Sequence, residues 1–496
     1  MSEPRGPLAT AIRALGRAVM QKTPEAPGPG AAASVQYEGE ASELLYSRGF
    51  ILCRPERAPA SVASWNRWRV GDWELRVDPR VPLDHAAAGG REVWIVGDAF
   101  HSRASVFTDV ARWAMGVDSL DLLEGLAGRF LLISRTGSKV ELFHDAMGSR
   151  SVFYANGVVA SHSALVAEVT GAGLQPWVLP FITSRGYIKR DVKYLPGLDS
   201  PFSGVAQLTP NTSLDIGAAQ VRRYWPRSSI REATREQALD ALLEQLRGLR
   251  QYFIAKELRP IIGLSAGRDS RGVLAALHDL QPRIFTFVRS SSDRAGNPAD
   301  TRAARELADV LGLELEVIRL HSPPPLDGAS TAFSVAFRHN TGYVRGNGSG
   351  WVEHYVGGSY QNELFVRGFG GEVMRGFYPK TAEANPKSLS NLYDVNAGSN
   401  MTREAFERFM RISNWSRIVG TGYQPQEALY WEHRMGVWGA SALSESDMAF
   451  RGIPGYNGRD LFSSFMGLPS SIDRRSIFEA AVSALAPELG AIAYDR

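Results

Sequence analysis

A short segment of small, hydroxylated and acidic residues, LSAGRDS at 264–270, directly follows an apolar run of strand type. Gly267 can adopt a positive φ without steric cost, so the loop could turn consecutive backbone N–H groups inward. A helix starting after the loop would add its unpaired amides, and Ser265 and Ser270 would add hydroxyl donors. Asp269 suits a Mg²⁺ ion that bridges phosphates. The pattern predicts a phosphate-binding loop; a plain glycine turn with Asp269 as helix cap is the alternative.

The elements around this loop determine where it would lie. Thr234 and Gln237 form a T-x-x-Q capping box, and the leucines that follow on one face predict a long amphipathic helix. The pattern then predicts a strand over 259–265, a helix over 271–280, the strand RIFTFV, the helix DTRAARELADVLG and the strand LELEVIRL. Strands and helices that alternate in this way favour a parallel α/β sheet, in which ligands bind beyond the carboxyl ends of the strands. The loop falls at such an end.

The chain from about residue 36 to 225 has a different pattern. The short runs GFILCR, EVWIVGD, FLLISR, VELFHD, SVFYA and GVVAS are spaced by turn residues, which indicates a two-layer sheet domain. SVFTDVARWAM and DSLDLLEGLAG predict a pair of helices between them. Residues 1–35 join an amphipathic stripe to TPEAPGPGAAAS, so we expect a flexible tail and linker. A helix that docks on a partner or a membrane surface is the alternative for this tail.

The composition excludes several classes of function. A net charge of +3 over 496 residues, without a basic cluster, gives no indication of a nucleic-acid partner. The single cysteine, Cys53, excludes an internal disulfide framework and a multi-cysteine metal site, and it suggests a reducing compartment. No apolar run reaches the length of about 18–20 residues that crosses a bilayer, and the N-terminus lacks the pattern of a signal peptide. A cytoplasmic protein is therefore expected.

Linked motifs along the chain resemble those of one family. In its strand–loop–helix setting, LSAGRDS resembles the Ser-Gly-Gly-x-Asp-Ser pyrophosphate loop of the N-type ATP pyrophosphatases. Asp300 with TRAARELADVLGL, then RGFGGEVMRGFYP, then IPGYNGRDLFSSFMGLP are similar to successive motifs of the asparagine synthetase family. LEGLAGRFLLISRTGSKVELFHDAMGSRSVFYANGVVASHSALVAEV looks like the glutaminase-type Ntn domain of that family, and SPFSGVAQLTP with RRYW looks like the segment leading out of it. The resemblance spans roughly residues 36–490 in the family's domain order.

The resemblance implies an α/β protein with three parts. Residues 1–35 are expected to be a flexible tail and linker. Residues 36–228 are expected to form a β-rich sandwich of the Ntn type, glutaminase-like but inactive. Residues 229–496 are expected to form a parallel α/β ATP-pyrophosphatase domain of the asparagine synthetase type.

The resemblance also implies a reaction that uses ATP and Mg²⁺. In the family, a substrate carboxylate attacks the α-phosphate of ATP, pyrophosphate leaves, and an amine captures the acyl group as an amide. Asp269 and Glu372 match the two carboxylates that bind Mg²⁺, and Asp269, Arg268 and Arg375 are the candidate catalytic residues. Arg271 and Arg367 are further candidates for placing positive charge near the phosphates. The positions that match ATP-binding residues are Leu264, Ser265, Gly267, Asp269, Ser270, Val288 and Gly368.

Departures from the family pattern limit these expectations. The family's glutaminases use a cysteine at the mature N-terminus, whereas this chain begins MSEPRG. Cys53 lies inside a strand-like run and is expected to be a core residue, so glutamine hydrolysis is not expected. Ala266 replaces the first loop glycine, Glu372 replaces an aspartate, and Phe369 stands where several relatives carry a catalytic glutamate. The final AIAYDR has no lysine where relatives supply one.

Three functions stay open at this stage. The first is an ATP-dependent amide-forming ligase that joins a small-molecule or peptide carboxylate to an amine not taken from glutamine, in the biosynthesis of a specialised metabolite, peptide or glycan. The β-lactam synthetases and lasso-peptide cyclases of the same family act in this way. The second is a non-catalytic relative that binds a nucleotide or a partner protein, and the third is an asparagine synthetase that uses free ammonia. Candidate substrate contacts are Tyr343, Glu353, His354, Tyr355, Glu432 and Arg434.

Overall fold

The computed structural model of the chain describes residues 43–102, 114–116, 119–190, 192–289, 298–320, 331–346, 348–378 and 382–494. The tail and linker expected over 1–35, and most of the expected helix SVFTDVARWAM, lie outside these residues. Within them the chain is mixed α/β, with two antiparallel sheets and one parallel sheet, which confirms the predicted class. The strands are β1 (Phe50–Cys53), β2 (Asn66–Val70), β3 (Trp73–Val77), β4 (Leu83–Ala88), β5 (Arg91–His101), β6 (Leu126–Thr136), β7 (Lys139–His144), β8 (Phe153–Ala155), β9 (Val158–Ala160), β10 (Ala206–Gln207), β11 (Thr212–Asp215), β12 (Gln220–Arg223), β13 (Arg259–Gly263), β14 (Arg283–Arg289), β15 (Leu315–Leu320), β16 (Glu363–Arg367) and β17 (Gly452–Pro454).

Two six-stranded antiparallel sheets come first along the chain. Their strand orders are β10-β8-β9-β1-β3-β2 and β12-β11-β7-β6-β5-β4. Apolar side chains from both sheets meet in one buried cluster, for example Leu52 from the first sheet with Trp94 and Leu131 from the second. The six runs that the sequence predicts as strands coincide with or lie within β1 and β5–β9, give or take one or two residues. The sequence does not predict β2, β3 or β4. Strands β2 and β4 lie at sheet edges and have many exposed positions, whereas β3 alternates apolar and polar residues.

The parallel sheet has the strand order β15-β14-β13-β16-β17. The long helix that precedes it begins with the predicted capping box, because Thr234 Oγ1 accepts from the Gln237 amide and Gln237 Oε1 accepts from the Thr234 amide. The α-helices are α1 (Ser119–Gly125), α2 (Ser163–Thr170), α3 (Val178–Ile182), α4 (Arg185–Ile188), α5 (Arg235–Ala255), α6 (Arg268–Leu277), α7 (Pro298–Leu311), α8 (Ala332–Asn340), α9 (Gly350–Tyr355), α10 (Gly371–Arg375), α11 (Pro386–Tyr393), α12 (Asn400–Ile412), α13 (Ser416–Gly420), α14 (Pro425–Leu429), α15 (Ala440–Ser446), α16 (Arg459–Met466), α17 (Arg474–Leu485) and α18 (Pro487–Gly490). A π-helical segment, Tyr430–Gly439, joins α14 to α15.

Two helices are among the elements that begin or end at other residues than the sequence predicts. Helix α6 begins at Arg268 and not at 271, so Asp269 and Ser270 belong to its first turn. The helix expected over DSLDLLEGLAG ends at Gly125, and the next residues pair with β5 as the start of β6. Pairing with a long central strand outweighs the helical propensity of these few residues.

The antiparallel and parallel parts share one hydrophobic core. A single buried cluster contains Phe130 of β6, Leu246 of α5 and Val366 of β16. The domain boundary expected at 228/229 falls between β12 and α5, and it stays a prediction. None of the described helices is both long and apolar enough to cross a lipid bilayer.

Candidate functional site

The candidate phosphate loop joins β13 to α6 at the carboxyl edge of the parallel sheet. Gly267 has φ −73° and ψ 159°, so the expected positive φ at this residue is wrong. An extended residue is the ordinary conformation just before a helix, and the helix begins at the next residue. A Cβ at position 267 would lie 3.2 Å from Ser265 Oγ, so the glycine keeps the space in front of the helix open.

The donors of the loop are divided between internal contacts and the helix start. The amide of Ser265 donates to Ser270 Oγ at 3.2 Å, that of Ala266 to Asp300 Oδ1 at 2.7 Å, and that of Gly267 to Ser265 Oγ at 3.3 Å. These contacts hold the loop itself. The first N–H groups of any helix have no acceptor within it, and Gly267 provides no side-chain cap. The donors available to an anion are therefore those of the first turn of α6.

The glycine-rich segment GFGGE, which directly follows β16, lies in close contact with the start of α6. A Cβ at Gly368 would lie 2.9 Å from Asp269 Cβ, and a Cβ at Gly371 only 2.1 Å from Asp269 Oδ1. Gly370 has φ +97°, and a Cβ there would lie 1.7 Å from the carbonyl oxygen of Tyr456. The glycines bring the start of α10, and with it Glu372, up to the Asp269 carboxylate.

Asp269 is the most perturbed acid of the site. Its Oδ2 accepts from Arg375 Nη2 at 2.6 Å, whereas its Oδ1 is buried and has no hydrogen-bond partner. Burial raises the pKa of Asp269 to about 6, the Arg375 guanidinium opposes that rise, and the Glu372 carboxylate adds to it. The side chain keeps 21 % of its surface exposed, so Asp269 lies at the edge of a cleft.

Tyr430 was not found from the sequence. Its hydroxyl donates to Glu372 Oε2, and burial together with this carboxylate raises the pKa of Tyr430 well above its usual value. Tyr456 donates from its hydroxyl to the carbonyl of Asp269 at 2.8 Å. No spacing in the sequence connects either tyrosine to the two carboxylates, because each contact is made between distant segments of the chain.

The two arginines of the loop have different surroundings. Arg268 pairs with Glu479 at 2.8 Å at the edge of the site. Arg271 is fully buried and donates to the carbonyls of Ile492 at 2.6 Å and Ala493 at 3.0 Å. The expectation that Arg271 adds charge beside the phosphates is therefore wrong, because its guanidinium holds the last described residues of the chain.

The three residues that match adenine-flanking positions lie on neighbouring strands. Val288 at the end of β14 and Gly368 after β16 lie on either side of β13 at the carboxyl edge. Leu264 is only 4 % exposed and turns its side chain into the core. A nucleotide at this edge would meet the backbone of Leu264 and not its side chain.

Most of the candidate substrate contacts lie elsewhere. Glu432 is completely buried in an ion pair with Arg223 of β12, so its assignment as a substrate contact is wrong. His354 and Tyr355 both contact Glu316 of β15, at the edge of the sheet. Arg434 is the candidate that the structure brings next to Tyr430 and Glu372.

Cys53 is a core residue. It is completely buried in β1, and burial raises the pKa of its thiol to about 11. A thiol with this pKa is almost entirely protonated near neutral pH, so it lacks the thiolate that a nucleophile needs.

Comparisons with known proteins add little. No family model matches the chain, and no curated protein matches it. Among solved structures, it is similar to glutamine-dependent NAD⁺ synthetase from Acinetobacter baumannii in complex with ADP at 16% identity, over 35% of this chain and 36% of that one, with a TM-score of 0.16. It is similar to NMN synthetase from Francisella tularensis at 12% identity, over 53% of this chain and 98% of that one, with a TM-score of 0.18. It is similar to glutamine phosphoribosylpyrophosphate amidotransferase from B. subtilis at 11% identity, over 73% of this chain and 74% of that one, with a TM-score of 0.21. TM-scores of this size carry no argument about fold or activity, so the function must be argued from the site.

Proposed function

We propose that this chain is an ATP-dependent carbon–nitrogen ligase. A substrate carboxylate would attack the α-phosphorus of ATP, pyrophosphate would leave, and an amine would then displace AMP to form an amide. The observation that carries the proposal is Asp269, whose Oδ1 is buried without a partner beside an uncapped helix start. A buried carboxylate oxygen without a donor costs free energy, and a bound cation would remove that cost.

The residues present fit a magnesium-bound nucleotide. Mg²⁺ in phosphate sites is commonly held by one or two carboxylates and completes its coordination with water and phosphate oxygens. Asp269 and Glu372 supply two carboxylates from loops after adjacent strands. The helix start at Arg268 lacks a side-chain cap, and the space that a Cβ of Gly267 would enter is open, which suits a phosphate.

The side chains of the site would position the reactants and neutralise charge. ATP, when bound, supplies an activated phosphorus and a good leaving group. Asp269 and Glu372 would hold the metal ion, and the first-turn amides of α6 with Ser265 and Ser270 would hold the pyrophosphate. Arg375 is paired with Asp269 in this structure, so it is the guanidinium best placed to turn to the phosphates.

The amine would come from a source other than glutamine. The buried thiol of Cys53 lacks the properties of a nucleophile. In the asparagine synthetase family that the motifs resemble, the glutaminase cysteine lies at the start of a core strand, whereas Cys53 is the last residue of β1. When incubated with glutamine, the parent should therefore produce no more glutamate than a Cys53→Ala variant does.

A non-catalytic nucleotide-binding protein is the second candidate function. The observation that favours it is that Arg375 and the Tyr430 hydroxyl already engage the two carboxylates. If these contacts persist beside a bound nucleotide, each carboxylate offers a metal ion at most one oxygen and Arg375 stays away from the phosphates, so binding would occur without turnover.

Calorimetry with Mg-ATP tests the site, and release of pyrophosphate tests the reaction. Asp269→Asn should weaken Mg-dependent ATP binding by at least about tenfold, equivalent to about 1.4 kcal/mol. The matched control is Asp279→Asn, which alters an acid that pairs with Arg250 on the surface. A parent that binds Mg-ATP no better than Asp269→Asn would contradict the site.

Pyrophosphate release, assayed with panels of carboxylates and amines, then separates the candidate functions. Release with aspartate and ammonia would indicate an asparagine synthetase, and release with other pairs the proposed ligase. Binding of Mg-ATP without release for any pair would favour the non-catalytic protein.

A further inference from the structure

Three arginines next to the candidate site lie against aromatic rings. We call Arg190, Arg367, Arg434 and the rings they contact the arginine–aromatic wall. The guanidinium carbon of Arg190 lies 4.3 Å from the ring centre of Tyr194 and 4.4 Å from that of Tyr393. Both rings fix the plane of Arg190, and its Nη2 donates to the Tyr194 hydroxyl at 2.7 Å, so its other N–H groups are left to bind a ligand.

The other two arginines connect the wall to the proposed reaction centre. Arg434 lies 4.3 Å from the ring centre of Phe377 and 5.4 Å from that of Trp438. Arg367, the last residue of β16, lies 4.1 Å from the ring of Phe369, which in turn contacts Trp438 at 5.3 Å. Phe377 is 40 % exposed, so the wall presents an apolar ring face to solvent.

The wall adjoins one of the proposed metal carboxylates. Phe377 stacks on Tyr430 with ring centres 4.7 Å apart, and the hydroxyl of Tyr430 donates to Glu372. A substrate whose reacting carboxylate lay near the metal ion would have the rest of its body along this wall.

The three arginines of the wall form no ion pair with any residue that the structure describes. In the described part of the chain, no carboxylate lies within 4.0 Å of the guanidinium of Arg190, Arg367 or Arg434. The neighbouring acid Glu445 pairs with Arg345 instead. Arg367 is so deeply buried that its pKa falls to about 10. Three neighbouring cations that form no ion pair attract an anion.

Two of the guanidinium groups also have buried nitrogen atoms without a partner. Nη1 of Arg190 and Nε of Arg434 are inaccessible to solvent and donate to no acceptor in the described structure. Folding leaves such donors unsatisfied, which costs free energy. A ligand carboxylate or phosphate that accepted these hydrogen bonds would remove that cost.

We infer that the arginine–aromatic wall binds an anionic group of the acyl substrate other than the carboxylate that reacts. The substrate is then an acid with at least two anionic groups, carried on a flat, unsaturated body that packs against Phe377. This inference rests on the proposed function for the position of the reacting carboxylate. The binding of a dianionic acid to the wall can be measured without ATP.

The test compares acids that differ in one feature. Homophthalate has a benzene ring with two carboxylates, phenylacetate has the same ring with one, and succinate has two carboxylates without a ring. By calorimetry, the parent should bind homophthalate at least about tenfold more tightly than either of the others, because one charge-assisted hydrogen bond is worth about 1.5–3 kcal/mol. Arg434→Gln and Arg190→Gln should each remove the preference over phenylacetate, and Arg434→Lys should keep part of it.

Arg54→Gln is the matched control, since Arg54 also stacks on a ring, that of Trp73 at 4.5 Å, but belongs to the antiparallel part. It should bind the acids as the parent does, and thermal melts check that each variant is folded. A parent that binds none of the three acids, or that shows no preference for homophthalate, contradicts the inference. So does a preference that survives both glutamine substitutions. Mg-ATP binding is measured on the same samples. A failure of the proposed ATP site can therefore be distinguished from a failure of the wall to bind the dianionic acid.

Discussion

At the scale of single residues, the site is defined by charges that are poorly matched in the free protein. Asp269 is buried enough to raise its pKa to about 6, although Arg375 lies 2.6 Å away. Strongly perturbed acids of this kind are frequent where a protein binds or activates a ligand. The perturbation costs stability, which makes it measurable without knowledge of the substrate.

The first prediction concerns the pH dependence of stability. The pKa of Asp269 is raised from 3.8 to about 6 by folding, so between these values the unfolded chain releases the proton first. The free energy of unfolding therefore falls as the pH rises through this range. Asp269→Asn stays neutral and should gain on the order of 2 kcal/mol over the parent between about pH 4 and pH 7. Urea denaturation at both pH values measures the difference.

Asp279→Asn serves as the control for this trend. The hydrogen bond from Arg250 holds the pKa of Asp279 below its usual value, so its contribution to stability is present above that value and is lost as the pH falls. This variant should therefore lose stability relative to the parent at neutral pH, by a small amount because the pair is exposed. The interpretation of Asp269 would be abandoned if both variants followed the same pH trend.

The second prediction concerns the hydrogen bond between Tyr430 and Glu372. Tyr430→Phe removes the donor and leaves the carboxylate free, so the Mg²⁺ concentration needed for ATP binding should fall by up to about tenfold. Glu372→Gln should raise it. Calorimetric titration of ATP at several Mg²⁺ concentrations gives both values. If ATP binding needed the same Mg²⁺ concentration in both variants as in the parent, Glu372 would not be a ligand of the metal ion.

At the scale of elements, the site depends on how closely two segments approach. The turn between β16 and α10 contacts the first turn of α6, and Gly371 leaves room for the carboxylate of Asp269. A side chain at this position would separate the two segments that carry the carboxylates. The geometry of the site thus depends on the absence of a Cβ at Gly371, as it does at Gly368 and Gly370.

The third prediction tests this close approach. In Gly371→Ala the new methyl group would lie 2.1 Å from Asp269 Oδ1, so α10 must shift, and the free energy of unfolding should fall by about 1–3 kcal/mol. Mg-ATP binding should weaken as well. Gly420→Ala is the control, because nothing lies within 4 Å of a Cβ there and alanine favours the helix. Equal stability of the two variants, measured in urea, would contradict the close approach.

At the scale of the whole molecule, buried polar contacts join the antiparallel and parallel parts. Arg223 of β12 pairs with Glu432 at 2.7 Å, and both side chains are completely buried. Arg129 of β6 forms a second buried pair with Asp447 at 2.7 Å. One hydrophobic cluster extends through both parts, and the antiparallel part has a second cluster of its own between its two sheets.

The fourth prediction concerns the buried pair. Glu432→Gln leaves the Arg223 guanidinium without a counter-charge in a dry environment, which should destabilise the protein by about 3–5 kcal/mol. Glu92→Gln breaks a partly exposed pair with Arg135 and should cost at most about 1 kcal/mol. Chemical denaturation of the two variants measures the contrast. Similar losses in both would show that the buried pair contributes no more than a surface pair.

Local patterns in the sequence were sufficient to predict much of the architecture. The alternation of strands and helices after residue 234 predicts the parallel sheet, and the capping box of Thr234 and Gln237 is present as expected. Cys53 was predicted to be a core residue, because it lies inside an apolar run, and it is buried. These features depend on periodicity and hydrogen bonds within a few residues, so the sequence contains them directly. Strands β2, β3 and β4 were missed: β2 and β4 lie at sheet edges with few buried residues, and β3 is only five residues long.

The sequence by itself therefore determined the fold class and which acids and glycines could form a site. Only the tertiary structure decided what those residues touch. Arg375 and Asp269 are 106 residues apart, Tyr430 and Glu372 are 58 apart, and Arg271 and Ile492 are 221 apart. Contacts between residues so far apart in the chain depend on how whole elements pack, and no local sequence pattern indicates that packing. The same reason explains why Arg434 could be singled out from sequence but its aromatic neighbours and missing counterion could not.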